Sequence, residues 1–217
     1  MKDCTELRRD VIDTCLWLLE KGLVFGTWGN VSVRLDDGNL LLTPSRLPYE
    51  EMTPEDLVVL SPEGTQVSGT RLSTSERELH RRIMLKRPDV GAIIHMHSPW
   101  AMAACALEGG VPVISEEMCQ LLGGAIPLSE RFVPSHRHEE LGTVVADSVT
   151  DTNALLIRNH GPICFGRTLA EARVCCQVVE KSCQMYLALA AVGKMNVLAP
   201  EYVAAGRDYY LNGYGKT

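Results

Sequence analysis

The chain has 217 residues, 46% of them hydrophobic and 22% charged, a globular composition with room for one full core and too little length for two. Its 21 basic and 27 acidic side chains leave a net charge of −6 with no lysine or arginine stripe, which argues against nucleic acid as a partner. The apolar stretches fall short of the roughly 20 residues of a membrane span, and no apolar run follows the charges of Met1-Lys2-Asp3. A cytoplasmic protein with neither membrane nor nucleic-acid partner is expected, as a single domain over 1–217. The eight cysteines form no Cys-x-x-Cys pair and are expected to be reduced and buried.

No repeat or linker divides the chain. Leu7, Val11, Ile12, Cys15, Leu16 and Leu19 have helical spacing and predict a helix over 5–21, closed by Gly22. Strands follow at 30–35 and 39–43, joined through the hairpin signature Asp36-Asp37-Gly38. Thr53-Pro54 reads as a helix cap with proline at the first helical position, and a strand is expected at 57–60. A helix over 75–87, stopped by Pro88, leads into an apolar strand at 90–97. Further helices are expected at 99–107, from about 138 and over 169–192, with strands at 111–114 and 154–157. Alternating helices and strands predict an α/β or α+β layered domain.

His95-Met96-His97 ends one apolar strand. Residues two apart on a strand face the same way, so both imidazoles can converge on one ion. His160, in Arg158-Asn159-His160-Gly161, follows another apolar strand, and Gly161 permits a sharp turn. Two neighbouring strands ending this way would bring three histidines to one rim, the donor set of a catalytic zinc-type site. A structural turn with its histidine bonded to backbone carbonyls is the competing reading. His136 and His138 lie in a polar helix start and read as solvated surface; His80, one turn after Glu76, reads as packed or hydrogen-bonded.

Ser73-Thr74-Ser75-Glu76 opens a helix, which suits plain capping and equally suits an anion held by free N–H groups and hydroxyls. Gly26-Thr27-Trp28-Gly29-Asn30 and Thr43-Pro44-Ser45-Arg46 add glycine, amide and hydroxyl groups at two strand ends.

These motifs, in this order and spacing over about 5–192, together with Asn30-Val31-Ser32-Val33-Arg34 and Arg87-Pro88-Asp89-Val90, resemble the class II aldolase/adducin family. The resemblance implies a three-layer α/β/α subunit with a central, mainly antiparallel sheet, and a homotetramer with active sites between subunits. It implies zinc, or another divalent metal such as manganese or cobalt, on His95, His97 and His160. Glu76 would complete the metal shell and act as acid/base. A small sugar phosphate would lie against loops carrying Thr27, Gly29, Asn30, Ser45, Arg46, Thr74 and Ser75. The reaction implied is cleavage of a ketose 1-phosphate, L-fuculose 1-phosphate-like, to dihydroxyacetone phosphate and an aldehyde; dehydration, decarboxylation and 4-epimerisation are the alternatives on the same scaffold.

Metal chemistry also suits the lysines, all at termini or in expected helices rather than in an apolar strand where a Schiff-base amine would be desolvated. Two departures from the family pattern stand out. Arg46 occupies a loop position where fuculose-type enzymes have glycine. Glu117 stands where they place a tyrosine from a neighbouring subunit, and it resembles the acid/base glutamate of methylthioribulose-1-phosphate dehydratases; a solvated acidic pair with Glu116 is the other reading. The tail Tyr209-Tyr210-Leu211-Asn212-Gly213-Tyr214 reads as frayed or as a source of a tyrosine that closes over a site.

Overall fold

A computed structural model describes residues 4–215, the side chain of Cys4 excepted. The opening Met1-Lys2-Asp3 and the lysines at 2 and 216 lie outside the described residues. Helix α1 (Cys4–Glu20) leads into β1 (Asn30–Arg34) and β2 (Leu40–Leu42), then β3 (Val58–Leu60) and β4 (Gln66–Ser68). Helix α2 (Arg77–Lys86), strand β5 (Ala92–His95) and helix α3 (Pro99–Cys105) follow, then a π-helical turn at Met118–Leu122. Helix α4 (His138–Ser148), strands β6 (Ala154–Ile157) and β7 (Gly161–Gly166), and helices α5 (Leu169–Val192) and α6 (Pro200–Asn212) complete the chain.

The strands form one seven-stranded sheet in the order β4-β3-β2-β1-β5-β7-β6, each neighbouring pair antiparallel. Side chains alternate between its faces. Val31, Val33, Leu41, Ala92, Ile94 and Cys164 pack with α1, α3 and α5 on one side. Leu40, Leu42, Ile93, Ile163 and Phe165 pack with α2 and α4 on the other. Burial on both faces explains why these strands read as unbroken apolar runs. The result is the expected three-layer α/β/α architecture.

The same alternation positions the polar groups. In β1, Val31 and Val33 face α1, so Asn30, Ser32 and Arg34 face α2. Arg34 reaches the carbonyls of Met84, Arg87 and Val90, satisfying the C-terminal end of α2. Arg87 pairs with Asp89 and donates to the carbonyls of Thr150 and Thr152. The Arg34 and Arg87-Pro88-Asp89 motifs therefore hold the α2–β5 turn that sets the height of His95.

Several expectations need correction. The strand expected at 90–97 spans only Ala92–His95, and 111–114 contributes a lone bridge from Val111 to Ile126. The strands expected at 30–35 and 39–43 are each shorter, and the helix expected at 99–107 ends at Cys105. Strands β4 and β7 are not predicted by the sequence pattern, and the tail expected to fray forms α6, packed on the π-helical turn. Arg207 of α6 donates to the carbonyls of Gln120 and Leu121, which that turn leaves without helical partners. The seven cysteines with described side chains are all free and buried. Among the described residues no helix is long and apolar enough to cross a membrane.

Candidate active site

His95 is the last residue of β5 and is wholly buried; Met96 turns into the opposite core. His97 lies beyond the strand, but the expected convergence holds, with His95 Nε2 and His97 Nε2 facing each other at 2.9 Å. His160 sits in the β6–β7 turn. Strand β7 separates β5 from β6, so the two histidine-bearing strands run parallel without being hydrogen-bonded neighbours. The ring centroids lie 4.8, 4.9 and 5.2 Å apart, and the ligand atoms of all three histidines fall within 4.8 Å of one another.

The turn achieves this differently from the expectation. The left-handed residue is Asn159 (φ 53°), not Gly161. Gly161 is required for close approach, since a Cβ there would meet the Met96 carbonyl at 2.6 Å, His95 Cε1 at 3.2 Å and His97 Cδ2 at 3.3 Å. The carbonyl of Pro162, next along β7, accepts from His95 Nδ1 at 2.9 Å. That bond assigns the ring proton to Nδ1 and leaves a lone pair on Nε2, pointed at the other rings.

Glu76 caps the start of α2 without bonding its own helix; its carboxylate enters the histidine cluster instead. Oε1 lies 3.0 Å from His160 Nε2, and Oε2 lies 3.5 Å from His95 Nε2 and accepts from Asn30 Nδ2 at 2.7 Å. Burial pushes the carboxyl up, but the field of His95 and the hydrogen bonds from His160 and Asn30 outweigh it and hold the group below the ordinary carboxylate range. Burial pushes His95 down to about 4 and His97 to about 3, so both rings are neutral at pH 7. Three imidazoles, two of them neutral, and one ionised carboxylate form a donor set that fits a divalent metal ion.

Beside this cluster a cleft of about 610 Å³ opens. Thr27, Gly29, Asn30, Ser45, Arg46, Thr74 and Ser75 all line it, with Glu76, His97 and His160. They meet there because the end of β2 runs alongside the segment before α2: Ser45 N donates to Leu72 O, and Thr74 N to Thr43 O. Gly29 is packed against the core, and a Cβ would meet Val24 Cγ1 at 2.6 Å and the His95 carbonyl at 3.0 Å. Arg46 has a left-handed backbone (φ 59°), a conformation that favours glycine, and its guanidinium has no hydrogen-bond or ionic partner among the described residues. Apolar lining comes from Trp28, edge-on to His97 at 5.7 Å, with Met102 and Phe132.

One placement differs from expectation. His136 and His138 are exposed, as expected, yet they line this cleft, because α4 begins at its mouth. Glu117, at a position the resemblance gives to a residue from a neighbouring subunit, does not line the cleft of its own chain; it is exposed and ion-paired with Lys181 of α5. The apolar wall escapes sequence reading because Met102 and Phe132 resemble ordinary helix and loop residues until the chain folds.

A family model for the class II aldolase and adducin N-terminal domain matches residues 9–187. The L-fuculose phosphate aldolase of Escherichia coli is 34% identical over 200 residues, 92% of this chain and 91% of the relative. The methylthioribulose-1-phosphate dehydratase of Pectobacterium atrosepticum is 31% identical over 173 residues, 75% of this chain and 84% of that protein. The solved structure of an L-fuculose 1-phosphate aldolase matches with a TM-score of 0.90 at 26% identity, covering 97% of this chain and 98% of the other. The chain belongs to the class II aldolase and adducin family, and is an aldolase-type lyase.

Proposed function

We propose that this protein, acting as one domain over 1–217, cleaves a small ketose 1-phosphate, L-fuculose 1-phosphate-like, to dihydroxyacetone phosphate and an aldehyde. The observation that carries the reading is the Glu76 carboxylate, turned away from its own helix and into the three-histidine cluster, at the floor of a cleft rich in hydroxyl, amide and glycine loops. His95, His97, His160 and Glu76 would hold a divalent ion, zinc or alternatively manganese or cobalt. When bound, that ion supplies a Lewis acid for the negative charge developing on the ketose oxygens as C3–C4 breaks.

The protein's own groups do the rest. The loops of Thr27, Gly29, Asn30, Ser45, Thr74 and Ser75 hold the phosphate end, with Arg46 as a cationic partner able to engage two of its oxygens. As C3–C4 breaks the C4 hydroxyl gives up its proton to solvent and C3 gains one in place of C4; Glu76, beside the cluster, would deliver the proton to C3. Trp28, Met102 and Phe132 offer the aldehyde end an apolar wall, which suits a methyl-terminated product. A homotetramer with sites between subunits and a cytoplasmic location complete the reading.

The test is release of dihydroxyacetone phosphate from a panel of ketose 1-phosphates, with and without chelator. Chelator-sensitive release supports the reading; no release from metal-loaded protein overturns it. A second reading, dehydration of a ketose 1-phosphate, is favoured by the similarity to the dehydratase and by a carboxylate at Glu117. It predicts a dehydrated ketone product and no dihydroxyacetone phosphate.

A further inference from the structure

Behind the cleft wall a row of buried polar groups runs to Asn30 and Glu76 from two residues that the proposed reaction does not use. His80, on α2 one turn after Glu76, and Ser32, on β1, are both wholly inaccessible to solvent; Asn30 is 5% exposed. Ser32 Oγ lies 2.6 Å from His80 Nδ1, His80 Nε2 is hydrogen-bonded to Asn30 Oδ1, and Asn30 Nδ2 donates to Glu76 Oε2 at 2.7 Å. Asn30 is the joint between this row and the open cleft.

The donor arithmetic has one solution. An ionised carboxylate only accepts, so the NH2 of Asn30 must face Glu76 and its Oδ1 must face His80. His80 Nε2 must then carry the hydrogen. This is true of the neutral ring and of the protonated ring alike, so the assignment does not depend on the charge of His80. With a neutral ring, Nδ1 accepts from the Ser32 hydroxyl, and the row runs in one direction: Ser32 to His80 to Asn30 to Glu76. If the carboxamide flipped, Oδ1 would confront the carboxylate, and His80 could meet the NH2 only by moving its hydrogen to Nδ1 and reversing its bond with Ser32. The clash of Oδ1 with the carboxylate would leave a buried polar group unsatisfied.

We infer that His80 is a positioning residue, which locks the carboxamide of Asn30 so that its NH2 holds the Glu76 carboxylate toward the histidine cluster and turns its second N–H to the cleft. A purely structural contact between α2 and β1 is made more cheaply by apolar packing, as Leu79, Ile83 and Ile93 show on the same face. This row instead ends on the one carboxylate in the cluster. The effect on turnover rests on the proposed reaction at this cleft; the effect on Glu76 does not.

The test uses His80→Phe, which keeps the bulk and removes the donor, His80→Gln, whose amide nitrogen can replace Nε2–H, and Ser32→Ala, which removes only the far end. The readout is the affinity of each metal-free protein for Co2+, followed by its absorption spectrum, alongside kcat and KM. His80→Phe is expected to weaken Co2+ binding by about 10-fold to 100-fold, with kcat falling more than KM changes, and His80→Gln to recover most of both. Wild-type Co2+ affinity in folded His80→Phe would overturn the inference, as would a His80→Gln protein as impaired as His80→Phe. If His80→Phe does not fold, His80→Gln and Ser32→Ala decide: near-wild-type affinity in the first with a several-fold loss in the second supports the row, and the reverse order overturns it. A wild-type protein inert toward ketose phosphates would sink the proposed reaction, and the Co2+ affinities alone would then decide the role of His80.

Discussion

Glu76 Oε1 lies 3.0 Å from His160 Nε2, across 84 residues of sequence, joining the head of α2 to the turn between β6 and β7. The contact brings a carboxylate from one helix and three imidazoles from two separate segments to one point. Removing any one of them should be felt by the others.

His160→Gln is accordingly expected to lose stoichiometric divalent metal while keeping the fold, since the substitution removes one donor at a surface turn. Metal analysis and thermal unfolding of both proteins check this. Wild type should gain about 2.7 kcal/mol of stability at metal 100-fold above its dissociation constant, and the variant should gain little.

The buried rings set a pH dependence in the metal-free protein. Ordinary histidines take up a proton near pH 6.5, but His80 and His95 do so only at about 4 and His97 at about 3. Between those values the unfolded chain binds more protons, so stability is full above about pH 7 and declines as the pH falls. Each ring contributes a slope of up to about 1.4 kcal/mol per pH unit. The depressed carboxyl of Glu76 acts in the same sense at lower pH, its contribution being lost as it protonates. Melting temperatures should fall steadily from pH 7 to pH 4; a flat profile would contradict neutral, desolvated rings.

Arg46→Gly should move stability and binding in opposite directions. Glycine relieves the left-handed backbone at φ 59°, worth about 1 kcal/mol, and raises the melting temperature. The loss of an unpartnered guanidinium from the cleft should raise KM for a ketose 1-phosphate by about 10-fold. Unchanged KM would remove Arg46 from the binding site.

Glu117→Gln separates the two reactions. Its partner Lys181 is about half exposed, so loss of the pair should cost less than about 1 kcal/mol. Aldol cleavage should survive within a few-fold, whereas a dehydratase relying on this carboxylate would lose nearly all turnover.

Gly161→Ala places a methyl group 2.6 Å from the Met96 carbonyl, and the turn must shift. A loss of about 1–3 kcal/mol is expected in unfolding experiments, with weakened metal binding, since the shifted turn carries His160.

Much of this is legible in the sequence for physical reasons. The polar members of β1 alternate with Val31 and Val33, and His95 and His97 flank a core methionine, so a period of two already separates the site from the core. Helix α5 is readable end to end, from the Thr168 cap to the left-handed Gly193. The glycine and hydroxyl loops all meet in one cleft. What stays hidden depends on tertiary pairing. Strand β7 carries Pro162, a poor strand residue, and is legible only once β5 and β6 flank it. Helix α6 has no buried residue and a weakly patterned sequence, so its helical state depends on the π-helical turn beneath it. The place of His136 and His138 at the cleft mouth requires knowing where α4 begins.

The place of β7 has a consequence for how the protein is built. It carries none of the three histidines, yet it lies between the strands that lead to them, and it comes more than 60 residues after His97. A chain that has formed only its first half holds two of the three imidazoles and cannot close the triad. Capture of a metal by this triad would therefore be a late event, following the long-range pairing of β5 with β7, and a bound ion would certify a finished sheet rather than seed one.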